Sequence, residues 1–231
     1  MNLTFARKYY RLLSKTEGIL YQNPLLALGL ALPLAVIPSF SITGAVAISL
    51  AMLLCFVPTV FLASLLRGRF STAGQVIVYP LVSCLLLIPA GKLVSWISPL
   101  IFDTLGVYFS LICVNSLLMF SVGQAQKKTP FAALKLALRQ WLGATLVALV
   151  LGLIRELTSS GSVWGVTLLR NIPRLPVAQM AMGGFILMGF FAALCRLIHR
   201  SILRFTIKSG AALDAAALAQ NQENAQGGED R

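Results

Sequence analysis

The side chains that can do chemistry are few. Four cysteines, Cys55, Cys84, Cys113 and Cys195, are the only thiols, and there is a single histidine, His199. All four cysteines fall inside apolar stretches and none forms a C-x-x-C pair. Disulfide frameworks belong to small secreted domains, so each thiol reads first as a small buried hydrophobe. His199 lies in a basic segment and reads as a solvated or headgroup-facing residue. There is no Ser/His/Asp set, with one histidine in the chain, and no Cys/His spacing suits zinc. Asp103 and the adjacent Arg155 and Glu156 stand in or against apolar stretches. Ionisable residues at membrane depth are functional candidates by default. Asp103 equally suits a residue reaching headgroups. Arg155-Glu156 suits either an interface anchor or a partly buried pair, whose desolvation would need a reason. No carboxylate pair is placed for acid–base work, so the chain carries no self-contained enzyme.

The elements that must position these residues are membrane spans. Residues 18–66 contain no charged side chain. As one helix that run would be about 74 Å long at about 1.5 Å per residue, against a hydrocarbon core about 30 Å thick. It must hold two spans, with a turn at Ile37-Pro38-Ser39-Phe40-Ser41-Ile42-Thr43-Gly44. The chain is 58% hydrophobic and 11% charged, whereas soluble domains are about 25% charged. The net charge of +12 therefore reads as topology signals beside spans and not as a nucleic-acid surface. The first apolar stretch is too long for a removed signal peptide. Six spans are expected, at about 24–40, 44–66, 75–95, 100–121, 137–154 and 176–195. Small residues such as Gly29, Gly106, Gly183 and Gly184 allow close helix approach, expected here to include contact with another subunit.

Charge sets the orientation. Arg7, Lys8, Arg11 and Lys15 precede the first span; Arg67 and Arg69 follow the second; Lys127 and Lys128 follow the fourth; Arg196, Arg200, Arg204 and Lys208 follow the sixth. The opposite side has Lys92 after the third span and Arg155, Arg170 and Arg174 after the fifth. Both termini are expected in the cytoplasm, with the last outer connection arguing against. Residues 3–16 pair aromatic and leucine side chains with basic ones and read as a helix on the inner leaflet. Residues 209–231, rich in Ala, Gln, Asn and Gly, cannot bury enough to order themselves and read as a disordered tail after a membrane domain over 1–208.

Three stretches carry a resemblance. Asn23-Pro24-Leu25-Leu26 runs into Gly29-Leu30-Ala31-Leu32-Pro33-Leu34-Ala35-Val36. Ile112-Cys113-Val114-Asn115-Ser116 is followed by Gly123-Gln124-Ala125-Gln126-Lys127-Lys128-Thr129-Pro130. Gly152-Leu153-Ile154-Arg155-Glu156-Leu157 precedes Gly161. In order and spacing these are similar to the N-P…G-L-C-P-L-L-A-V, T-N-C…G-R-A-E…K-K-x-P and G-x-x-R-E-x…G patterns of the Rnf and Nqr membrane subunits, nearest the RnfE/NqrD kind. They cover roughly residues 18–165.

The resemblance implies an all-α integral membrane protein of six helices arranged as a 3+3 inverted repeat in a bacterial inner membrane. It implies spans one and four broken at mid-membrane, and a homologous partner subunit of opposite orientation. It also implies one [2Fe-2S] cluster shared between the partners, with two cysteines from each of them, and electron transfer coupled to Na⁺ or H⁺ movement. In this chain the first cysteine position falls on Ala31, or on Leu32 with a shifted gap, and the second on Ser116. Alanine cannot ligate iron. Cys113, three residues before Ser116, would share its face on a continuous helix and is the stand-in thiol. Gln124 and Gln126 occupy positions where the pattern has charged groups. The leading expectation is a membrane subunit of an Rnf/Nqr-like complex without its own iron–sulfur ligands. The alternatives are a small-solute or ion transporter, or a non-redox scaffold subunit, on the same fold.

Overall fold

The computed structural model of the chain describes residues 24–97, 99–164, 166–167, 175–198 and 200–201. Asn23, the expected surface helix at 3–16, Arg170, Arg174, His199 and the tail at 209–231 lie outside the described residues. The order is α1 (Pro24–Leu28), α2 (Leu32–Val36), a 3-10 turn (Pro38–Phe40), α3 (Ile42–Leu65), α4 (Thr72–Ile97), α5 (Pro99–Leu105), α6 (Val107–Ser110), α7 (Ser116–Ala125) and α8 (Pro130–Ser159). A two-stranded antiparallel hairpin, β1 (Ser162–Val163) with β2 (Val166–Thr167), follows, then a 3-10 turn (Pro176–Gln179) and α9 (Ala181–Ile198).

Four of the described helices, α3, α4, α8 and α9, are long and apolar enough to cross a membrane. The expected spans at 24–40 and 100–121 are instead each divided into short pieces. Among the described residues the hairpin is the only departure from helices and turns, and Trp164 takes a left-handed φ of 56° between its strands. Helix bounds also shift. The expected 137–154 span runs from Pro130 to Ser159, because Pro130 sits in the first turn, where its missing N–H costs nothing.

The turn between the first two apolar segments is built by Ser41 and Gly44. Ser41 Oγ accepts from Gly44 N at 3.1 Å and caps α3. A Cβ on Gly44 would lie 2.3 Å from Pro38 O, so only glycine fits there. α3 is the central helix: 61% of its apolar window is buried, against 44% for α8, 22% for α4 and 17% for α9. α3 packs chiefly along α8, with Trp141 Nε1 donating to Ser49 O at 2.8 Å. A Cβ on Gly152 of α8 would lie 3.1 Å from Ser41 O. Three buried hydroxyls are satisfied within their own helix: Ser49 donates to Ala45 O, Thr59 to Cys55 O and Ser121 to Leu117 O. This is the solution required where no water competes. α4 and α9 turn rows of large apolar side chains outward, including Ile77, Leu81, Leu85, Ile186 and Phe190, as helices bordering lipid or another membrane protein do.

Candidate functional site: a junction of two broken helices

The two breaks meet. In the first, Gly29 at φ 68° and Ala31 at φ 57° turn the chain through left-handed conformations between α1 and α2. Pro33 stands in the first turn of α2, where proline is tolerated. In the second, Gly106 at φ 43° separates α5 from α6, and residues 111–115 are non-helical before α7. Asn115 anchors this second break from both sides. Its Oδ1 caps α7 by accepting from Leu118 N at 2.7 Å, and its Nδ2 donates to Ile112 O at 2.6 Å. The breaks join where Ala31 N–H donates to Ser116 Oγ at 3.0 Å, across 85 residues of sequence. The start of α2 is thereby held against the start of α7.

These are the two positions at which the resemblance places thiolates. Iron–sulfur clusters are held by thiolates. The Ala31 methyl is no ligand, and Ser116 Oγ already accepts a backbone hydrogen bond. The residues at the junction do not fit an iron–sulfur cluster. A void of about 10 Å³ lies beside Ala31, bordered by Leu34, Met52, Leu117 and Thr145, and Thr145 Oγ1 is buried without a hydrogen-bond partner.

Cys113 is fully buried, in the non-helical stretch before α7. The chain between 113 and 116 is not helical, so the shared helix face expected for Cys113 and Ser116 does not exist. The Cys113 thiol packs beside Cys84 of α4, with Cys55 of α3 nearby, whereas Ser116 is exposed. Asp103 is also exposed, on α5.

Arg155 and Glu156, at the far end of α8, are both buried. Arg155 Nη1 donates to Val36 O at the last residue of α2. Nε donates to Ala178 O at 2.9 Å, and Nη2 to Gln179 O at 2.8 Å and Met180 O at 3.2 Å. Glu156 Oε2 accepts from Ile42 N, at the first residue of α3, at 2.9 Å. A cation at one helix C-terminus and an anion at another's N-terminus match the helix dipoles. Both side chains are thus buried, and each ties α8 to backbone atoms at the end of another element. Gly183 and Gly184 serve this same region within the chain. A Cβ on Gly183 would lie 2.2 Å from Val177 O, and one on Gly184 2.7 Å from Val36 Cγ1 and 2.9 Å from Arg155 Cζ. Their expected use in close approach to another subunit gives way to this internal packing. No sequence signal pointed to the carbonyls that Arg155 collects, because backbone acceptors carry no residue signature.

Apolar spanning helices around two apposed helix breaks define an integral membrane protein of the broken-helix kind. The family model of the Rnf-Nqr subunit, membrane protein, matches residues 12–192, and the chain belongs to this family. It is 27% identical over 206 residues to the E subunit of the ion-translocating oxidoreductase complex of Shewanella baltica, covering 80% of this chain and 87% of that one. It is 23% identical over 187 residues to the E subunit of the proton-translocating ferredoxin:NAD(+) oxidoreductase complex of Clostridium ljungdahlii, with the same coverages, 80% and 87%. It is 29% identical over 154 residues to the D subunit of the Na(+)-translocating NADH-quinone reductase of Pseudoalteromonas translucida, covering 65% and 72%.

Proposed function

We propose that this chain is a membrane subunit of an ion-translocating electron transport complex, and that it contributes scaffold and partner contacts without iron–sulfur ligands of its own. The observation that carries this reading is the meeting of Ala31 and Ser116: the junction framework is kept while both thiol positions are replaced. Six membrane segments in two inverted halves are the arrangement that best accounts for two breaks at the first segment of each half. The bilayer is a bacterial inner membrane, and both termini are cytoplasmic by the charge asymmetry.

The junction also supports a homologous partner of opposite orientation. Leu28 is 60% and Val114 68% exposed, and Gly29 and Ser116 are exposed. Non-helical backbone cannot face hydrocarbon; it must be covered by protein or line a water-filled cavity. Affinity purification of the tagged chain from its native membrane in mild detergent tests the reading. Flavin- and iron-containing subunits and a homologous membrane subunit are expected in stoichiometric amounts, together with NADH- or ferredoxin-dependent ion transport lost on deletion. A chain that purifies alone from membranes with intact redox-driven transport overturns it. Such a result would favour the solute-transporter reading, for which the exposed break offers a path.

A further inference from the structure

A five-residue helix has no stability of its own, because nucleation is unfavourable and few bonds repay it. α2 is such a helix, about 8 Å long at about 1.5 Å per residue. Its backbone bonds Ala35 N to Ala31 O at 3.1 Å and Ile37 N to Pro33 O at 3.0 Å. Leu34, Ala35 and Val36 bury its inner face in the core, and polar contacts fix its two ends. At the N-terminal end Ala31 N–H is taken by Ser116 Oγ. At the C-terminal end the carbonyl of Val36, left over by the helix, accepts from Ser39 Oγ at 3.0 Å and from the guanidinium of Arg155, which is 0% exposed. The same guanidinium binds Ala178 O, Gln179 O and Met180 O on the approach to α9. A planar fork with five donors is suited to hold several fixed carbonyls at once. Gly184 leaves the space in which that fork lies.

We propose that Arg155 is the positioning residue of the helix-break junction: by fixing the trailing end of α2 to the start of α9, it sets whether Ala31 reaches Ser116. The site of contact and the residue that controls it lie at opposite ends of one short rod. A shift of α9 relative to α8 is transmitted through the shared carbonyl cage to the junction. This rests on the reading of the junction as the functional centre of the subunit, but it is tested on the full chain alone.

The test is amide hydrogen exchange of the full-length protein in lipid nanodiscs, read on peptides spanning residues 28–36. The variants are Arg155→Lys, which keeps the charge and loses the fork, and Gly184→Ala, which crowds both the fork and the Val36 side chain at the end of α2. Exchange at the start of α2 is expected to rise roughly tenfold in each, the size of one lost charge-assisted hydrogen bond. Peptides from the middle of α3 and α8 should keep wild-type protection. In Arg155→Ala, added guanidinium should restore protection at 28–36, and sodium chloride at the same ionic strength should not. Unchanged exchange at 28–36 in the folded Lys and Ala variants overturns the proposal. So does a rise spread evenly over α3 and α8, which would mark general destabilisation. Failure of partner subunits to co-purify with an intact exchange pattern would instead sink the complex-subunit reading and leave this one standing.

Discussion

Ala31 is the residue at which local preference and position disagree. It holds φ at 57° and is 5% exposed, a conformation that costs a non-glycine residue about 1–2 kcal/mol. Ala31→Gly removes that strain and keeps the N–H that Ser116 accepts. The expected outcome is a thermal midpoint equal to or above wild type, where glycine in a helix interior would cost about 1 kcal/mol. A clear drop in midpoint would show that the methyl packing outweighs the strain. Cys113 gives a second residue-scale prediction. It is buried among Cys84 and Cys55, away from exposed Ser116, so Cys113→Ala should lower stability by about 1 kcal/mol through the lost sulfur volume. Iron content and electron transfer of the assembled complex should not change; loss of iron with assembly intact would return a ligand role to this thiol. At this scale the sequence was informative about which positions matter and silent about how. The motif alignment picked out Ala31 and Ser116, and their contact needed two breaks to be folded against each other. The Arg155-Glu156 pair stood out by charge alone, while its acceptors, being backbone atoms, did not.

At the scale of elements, the long helices were legible because hydropathy and length suffice. The expected 44–66 and 75–95 segments correspond to Ile42–Leu65 and Thr72–Ile97, with Pro80 and Pro89 carried inside an unbroken α4. The breaks were not legible from hydropathy, since residues 24–40 and 100–121 are as apolar as their neighbours. The resemblance supplied them, and the physical causes lie in Gly29, Ala31, Gly106 and Asn115. Asn115 is the one whose signal was present, an asparagine immediately before an apolar run, which is a helix start. Its side chain makes both the cap to Leu118 N and the bond to Ile112 O. Asn115→Ala loses both and should cost about 1–2 kcal/mol, read as a lower thermal midpoint of the protein in detergent. Because the cap fixes where α7 begins, the same variant should raise exchange at Ser116 and at Ala31 together. A fall in stability with protection kept at both positions would mean that the junction is set elsewhere.

The whole molecule turns on how its helices are threaded through the bilayer. Four crossing helices alone, or six segments if both broken ones also cross, bring the chain back to the side it started from; it ends on the opposite side only if exactly one broken segment crosses. If each crosses, as residues 24–40 and 99–125 are together long enough to do, the end of α8 and the hairpin that follows it lie on the face opposite the connection at 66–71. That hairpin carries Trp164, 58% exposed, an aromatic of the kind enriched where the bilayer meets water. Arg67 and Arg69 are exposed in the connection between α3 and α4, as cytoplasmic loop charges should be. Arg155 was one of three residues, with Arg170 and Arg174, that weighed against this orientation when loop charges were simply counted. Buried and bound to carbonyls, it is not a loop charge, and removing it from the count strengthens the asymmetry. Reporter fusions after residue 70 and after residue 208 should therefore both be active in the cytoplasm, and a fusion near Ser159 active outside. A cytoplasmic reporter at Ser159 would mean that an odd number of segments is missing between the two sites, and the broken fourth segment, α5 to α7, would be the one that fails to cross.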